Sequence, residues 1–168
     1  RVNALQSPAD AALPFSVVAE SGRRSNELLG ATYTFDNGQS LTGEYLHQSH
    51  GFAANEETAY FARAANAVLP AGAATLGMAL ATAPPLWGRD YLHLVWQNNL
   101  LESSGYWRLM LTHNFNDGGN ELSGYGEYTL SGRMSGFVLA VLPQGGARQE
   151  LSALTKRMVT LGVKVALH

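Results

Sequence analysis

The chain of 168 residues contains no cysteine, which rules out both a disulfide framework and a Cys-ligated metal site. Charge is scarce: Asp, Glu, Lys and Arg make up 14% of the residues, against about 25% in soluble domains. The formal net charge of −2 gives no general attraction for nucleic acid or for anionic lipid. No Lys/Arg cluster is interleaved with aromatics, so nucleic acid is not an expected partner. A long hydrophobic helix is missing as well. Nothing between Arg63 and Arg89 is charged, but Pro70 and Pro84-Pro85 confine any helix there to Ala71–Ala83, with Gly72 and Gly77 inside it. That piece would rise about 20 Å, short of the roughly 30 Å hydrocarbon core of a bilayer. As a tilted barrel strand, which needs about 9–11 residues, it fits.

What the chain does have is glycine, aromatics and alternation. There are 18 Gly, 3 Trp, 7 Tyr and 6 Phe. A barrel that turns one face to lipid needs such residues for turns, kinks and interfacial girdles, and needs few charges. Apolar and polar residues alternate with period two in runs broken by turn residues. Leu29, Ala31, Tyr33 and Phe35 share one face of a run, and Gly30, Thr32 and Thr34 the other. Asp36-Asn37-Gly38 follows, and Asn-Gly predicts a tight hairpin with both turn positions at φ > 0. Leu92, Leu94 and Trp96 oppose Tyr91, His93, Val95 and Gln97; Trp107, Leu109 and Leu111 oppose Arg108, Met110 and Thr112. Leu122, Gly124, Gly126 and Tyr128 oppose Ser123, Tyr125, Glu127 and Thr129. The runs predict about nine strands, at 14–22, 27–36, 39–48, 73–82, 90–99, 105–115, 122–131, 134–142 and 156–167. One segment changes period. Asn55 is placed to cap a helix, Glu56 and Glu57 suit its first turn, and Phe61, Ala65 and Val68 recur at helical spacing. A short helix near 55–68 is therefore expected beside the barrel and not within its wall.

In the last run Val159, Leu161, Val163, Val165 and Leu167 form an unbroken apolar face against Thr160, Gly162, Lys164 and Ala166. A lipid-facing closing strand requires that face. The second faces of the runs carry Glu20, Glu44, His93, Arg108, Glu127 and Lys164, isolated among Thr, Ser, Asn, Gln and Gly. That mixture suits a polar lumen better than an open solvent face, and these six are the expected pore-lining residues. Phe15, Phe35, Trp87, Tyr91, Tyr106, Trp107 and Phe115 fall near strand ends, where interfacial girdles lie.

The stretch Leu28-Leu29-Gly30-Ala31-Thr32-Tyr33-Thr34-Phe35-Asp36-Asn37-Gly38-Gln39-Ser40-Leu41-Thr42-Gly43-Glu44-Tyr45, continuing to Phe52, resembles the hairpins of large porin-like outer-membrane proteins of Gram-negative bacteria. Gly88–Leu167 is similar to the terminal strands of the same class. The last strand resembles the C-terminal signal that such proteins present to the barrel-assembly machinery. That signal usually ends in Phe or Trp, whereas here Leu167 holds the position and His168 follows it. The resemblance implies an all-β fold, a transmembrane antiparallel up-and-down β-barrel forming one domain over residues 1–168. It also implies residence in the outer membrane, with outer-membrane lipid and the assembly machinery as partners. Bacterial single-chain barrels have even strand numbers. With an odd count and a start at Arg1 lacking Met or a signal-peptide h-region, the chain is expected to be the C-terminal portion of a barrel of about twelve or more strands.

Chemistry is not expected. His47 and His50 sit at a strand end, where i, i+3 spacing does not converge two side chains. His93 is expected to meet a lumen acid such as Glu127. Ser103, Ser104 and Ser123 have no motif that sets them beside a His. Gly118-Gly119 and Gly145-Gly146 lack the following Lys-Ser/Thr of a phosphate loop, and the Asp36/Asn37 and Asp117/Asn120 groups suit turns. No catalytic residue, metal or cofactor is expected. The functional expectation is a porin-like channel for passive passage of small polar solutes. The alternatives are a non-conducting barrel serving as scaffold or docking partner in an envelope complex, and a soluble ligand-binding β-barrel.

Overall fold

The computed structural model describes residues 2–3, 16–17, 25–65, 86–99 and 104–166. Two short strands, β1 (Val2–Asn3) and β2 (Ser16–Val17), pair with each other. The rest of the fold is one antiparallel sheet of seven strands in sequence order. These are β3 (Asn26–Thr34), β4 (Ser40–Gln48), β5 (Asp90–Gln97), β6 (Gly105–Asn114), β7 (Asn120–Ser131), β8 (Met134–Gln144) and β9 (Met158–Val165). Helix α1 (Ala54–Ala65) lies between β4 and β5, and α2 (Glu150–Leu154) between β8 and β9. None of the described helices is long and apolar enough to cross a membrane.

The all-β, up-and-down architecture agrees with the sequence expectation, but the sheet is open: β3 and β9 do not pair. Seven of the expected strands are present with ends shifted by a few residues. The expected strand at 14–22 is described only at Ser16–Val17, and 73–82 lies outside the described residues. Even so, nothing stands between β4 and β5, because Ser40–His47 is hydrogen-bonded directly to Asp90–Gln97.

Local chemistry explains where the strands stop. Phe35 N donates to Gln39 O, and Gly38 N to Phe35 O. Gly38 alone in that loop has positive φ, 76°. The loop Asp36-Asn37-Gly38 is thus a three-residue turn with a left-handed glycine, not the expected two-residue turn with Asn37 also at φ > 0. Helix α1 begins one residue earlier than expected. Asn55 lies inside it, and the Glu56 side chain accepts the Ala53 N–H at 2.9 Å, satisfying a donor that the helix start leaves open. Residues 66–68, including Val68 of the expected stripe, lie outside the described residues.

The register joins every run into two continuous faces. Leu29↔Tyr45, Tyr33↔Leu41, Leu41↔Trp96, Leu94↔Leu111, Leu111↔Leu122, Leu122↔Leu142 and Val138↔Leu161 stand opposite one another across successive strands. All the runs' apolar sets therefore land on one side. That side is the exposed one. Leu29 and Leu161 are each 76% exposed, Val159 65%, Val163 59% and Val165 56%. Among the exposed large apolar side chains of the sheet, only Leu28 and Met158 lie on the other face. Leu167 is outside the described residues. On the polar face Gln48, Tyr91, Val95, Asn114 and Ser123 are buried, and Glu44, His93, Arg108, Tyr125 and Glu127 are half-buried.

Candidate functional site: the polar face and its capped end

Five of the six expected pore-lining residues (Glu44, His93, Arg108, Glu127 and Lys164) share the polar face of the sheet. Glu20 lies outside the described residues. Strand parity brings the five to one side, but register sets their neighbours, and sequence could not supply that. Glu44 stands opposite His93, and His93 opposite Thr112. His93 Nδ1 bonds Thr112 Oγ1 at 2.9 Å, so its partner is Thr112 and not the expected Glu127, which lies further along β7. Arg108 stands between Gln97 and Tyr125, and its Nε has no hydrogen-bond partner among the described residues.

Glu127 and Lys164 neutralise each other. Lys164 Nζ donates to Glu127 Oε2 at 2.5 Å and to Tyr125 OH at 2.7 Å. Ser135 Oγ donates to Glu127 Oε1 at 2.6 Å, and Tyr125 OH also donates to the Glu127 carboxylate. The ammonium lies 5.4 Å from the Tyr125 ring centre and 5.5 Å from that of Phe137, within cation–π range. Tyr106, Tyr125 and Phe137 continue as a row of rings 6.1 and 6.3 Å apart. The pairing leaves Glu44, Arg108 and Glu121 as charges of this face without an ion pair among the described residues.

The densest packing lies at one end of this face. Phe52, Phe61, Trp87, Tyr91 and Leu151 are buried there. Trp87 stacks on Phe52 at 5.5 Å and meets Phe61 edge-on at 6.4 Å. Trp87 and Tyr91, expected in an interfacial girdle, are instead 6% and 1% exposed. They belong to the cap because Phe52 bridges to Gly88 and its ring stacks on Trp87.

Inside that cap, Glu57 from α1 and Glu150 from α2 are both 0% exposed. Glu150 gathers four donors: Trp87 N at 2.7 Å, Gly88 N at 3.4 Å, Tyr91 OH at 2.5 Å and Asn114 Nδ2 at 2.9 Å. Glu57 receives one, Asn114 Nδ2 on Oε1 at 2.5 Å, while its Oε2 has no donor. Among the described side chains no cation bonds either carboxyl, so one of the two must carry a proton. Burial, then the adjacent Glu150 carboxyl and more distantly Asp117, hold Glu57 far above the usual carboxylate range, with Asn114 opposing. Gly88 completes the node. A Cβ there would come within 2.7 Å of Tyr91 OH, 2.9 Å of Glu57 Oε2 and 3.0 Å of Asn114 Nδ2, so only glycine allows the groups to close.

Asp117 anchors α2 from the β6–β7 turn. Its Oδ2 accepts the Glu150 N–H at 2.6 Å, its Oδ1 the Gly119 N–H at 2.7 Å, and its backbone oxygen the Gln149 side chain at 2.8 Å. Sequence reading assigned Asp117 to turn chemistry alone and assigned no role to Glu57 beyond the helix start or to Glu150 at all. The one available signal was Glu57 in the first turn of the expected helix; Glu150, in a segment that reads as a polar loop beside Arg148, carried none. His47 Nδ1 and Tyr45 OH both bond Asp90 Oδ1, at 2.7 and 2.6 Å. His50 takes no part, as the i, i+3 spacing on a strand end implied.

Among the described residues no group of His, Asp and Glu is arranged to hold a metal ion. No protein-family model matches the chain, nor does a curated protein or a solved structure.

Proposed function

We propose that the sheet is a sector of a porin-like outer-membrane β-barrel that passes small polar solutes passively. The observation that carries this reading is the inverted sidedness of the sheet. Its apolar face, from Leu29 on β3 to Leu161 on β9, is the exposed one, and its charged face is the shielded one. In water a face of that size would be an association liability; in hydrocarbon it is the required surface. The strands match the membrane in length, from 8 residues in β5 and β9 to 12 in β7, against about 9–11 for a tilted spanning strand.

Aromatic placement supports the same reading. On the apolar side Tyr45 and Phe115 meet at the end that carries α1 and α2. Tyr33 with Phe35, and Trp96 with Trp107, meet toward the other end. Leu94, Leu111 and Val138 lie between. Two aromatic belts with aliphatic residues between them are the pattern of a membrane-spanning barrel wall. Barrels of this kind carry short turns on the periplasmic side and longer loops outside. The turns 35–39 and 132–133 therefore mark the periplasmic end, and the connections 49–89 and 145–157 the outer end. Among the described residues the outer edges of β3 and β9 have no partner strand, and hydrocarbon cannot satisfy such backbone groups, so on this reading further strands close the wall.

Reconstitution into planar bilayers tests the proposal. Stepwise conductance is expected, and a folded, membrane-inserted protein that stays silent would sink the channel. Two observations favour the second reading, a non-conducting scaffold: the cap over the outer end and the Lys164–Glu127 pairing both fill the polar side. Solubility without detergent would select a ligand-binding barrel instead.

A further inference from the structure

The capped end joins segments that are remote in sequence. Helix α1 enters from the connection 49–89 and α2 from 145–157, and the two meet over the polar face. Glu57 on α1 and Glu150 on α2 share Asn114 Nδ2, at 2.5 and 2.9 Å. The titratable groups that face this pair are Tyr91 on β5 and Asp117 in the 115–119 turn, both acids. No Lys or Arg among the described residues bonds either carboxyl. The contact can therefore close only when a proton sits between the two.

We propose that Glu57 and Glu150 form a proton-operated latch that holds α1 against α2 over the polar face and releases α1 when Glu57 loses its proton. The direction follows from linkage. The latched state favours protonated Glu57, whereas the released side chain titrates as an ordinary glutamate near pH 4.3. Latching is thus strongest below that pH. It weakens by about tenfold per pH unit above it, until the raised pKa of latched Glu57 is reached. Tyr91 stays closed on Glu150 in the latched state, and Asp117 keeps its grip on the Glu150 N–H. The hinge is therefore α1, which is held by Glu57 and by the Phe61–Trp87 contact. That such a release would widen a pore rests on the channel reading; the latch itself does not.

Hydrogen exchange on the lipid-reconstituted protein tests it, with amide rates corrected for their chemical pH dependence and strands β4–β8 as an internal control. Opening of residues 54–61 is expected to rise about a hundredfold between pH 6 and pH 8, while strand protection stays constant. Glu57→Gln, whose amide can donate to Glu150 at every pH, is expected to remain closed across that range. Wild-type protection of 54–61 that does not change from pH 6 to 8 would overturn the latch without recourse to any variant. A Glu57→Gln protein that opens as the wild type does would overturn it too, by placing the titration elsewhere. Conductance measured in parallel separates the two ideas. Silent membranes with pH-dependent exchange leave the latch standing and remove the channel, and steady conductance with flat exchange does the reverse.

Discussion

The capped end and the open sheet obey opposite rules of burial. At the cap, Phe61 and Tyr91 are 0% and 1% exposed, and a buried carboxyl, Glu150, collects four donors. That is how a protein interior in water is built. In the wall the large apolar side chains are outermost, and the hydroxyls, amides and charges face one another across the strands. The first arrangement is the usual one in water; the second is the one a wall facing an apolar medium would take. On the proposed membrane reading, one chain holds a region organised against water beside a region organised against lipid. Each kind of substitution should register in only one of them.

The largest effect is expected from Phe61→Ala. Removing a fully buried ring leaves a cavity under Trp87 and should cost about 3–5 kcal/mol of local stability, with or without lipid. Loss of exchange protection in α1 while β4–β8 hold theirs is the measurement. Leu161→Arg comes next. At 76% exposure this change would be nearly neutral in water, within about 0.5 kcal/mol. On a lipid-facing strand near mid-depth it should cost about 2–4 kcal/mol. Denaturant titration in lipid vesicles decides, and a neutral result there would break the comparison at its root. Gly88→Ala should follow, costing about 1–3 kcal/mol through overpacking against Tyr91, Glu57 and Asn114, and should raise the opening of α1 at every pH. The smallest effect is expected from Lys164→Gln. Without its ammonium, Glu127 stands as an uncompensated charge on the polar face, and the reversal potential under a KCl gradient should move toward cations. High salt should shrink that shift; an unchanged potential would show that this face does not line the conducting path.

The two regions also differ in how far they could be read from the residues. The wall was almost fully legible. Period two assigns Val159, Leu161, Val163 and Val165 to one face and Lys164 to the other whatever the partner strand, and five of the six residues expected to line a pore share that other face. Pairing within that face was not legible. Lys164 lies opposite Ser135 in register and reaches Glu127 and Tyr125 on β7 across the intervening strand, a contact 37 residues away in sequence. His93 likewise turned to Thr112, which only the β5–β6 register could decide. The cap was legible only as a helix beside the wall. Nothing local marks Trp87 and Tyr91 as its core, since an aromatic near a strand end reads equally well as a girdle residue. Tertiary packing separated them from Phe35 and Phe115, which remain 39% and 54% exposed.

What the residues determined unaided is the sidedness of each strand and the places where strands must stop. These depend on geometry internal to a segment: the alternation of Cβ directions and the freedom of a glycine such as Gly38 to take positive φ. What only the tertiary structure decided is the register, the direct pairing of β4 with β5, and the meeting of Glu57 with Glu150. These depend on groups far apart in sequence being held at hydrogen-bond distance, and no pattern within either segment encodes where the other will lie.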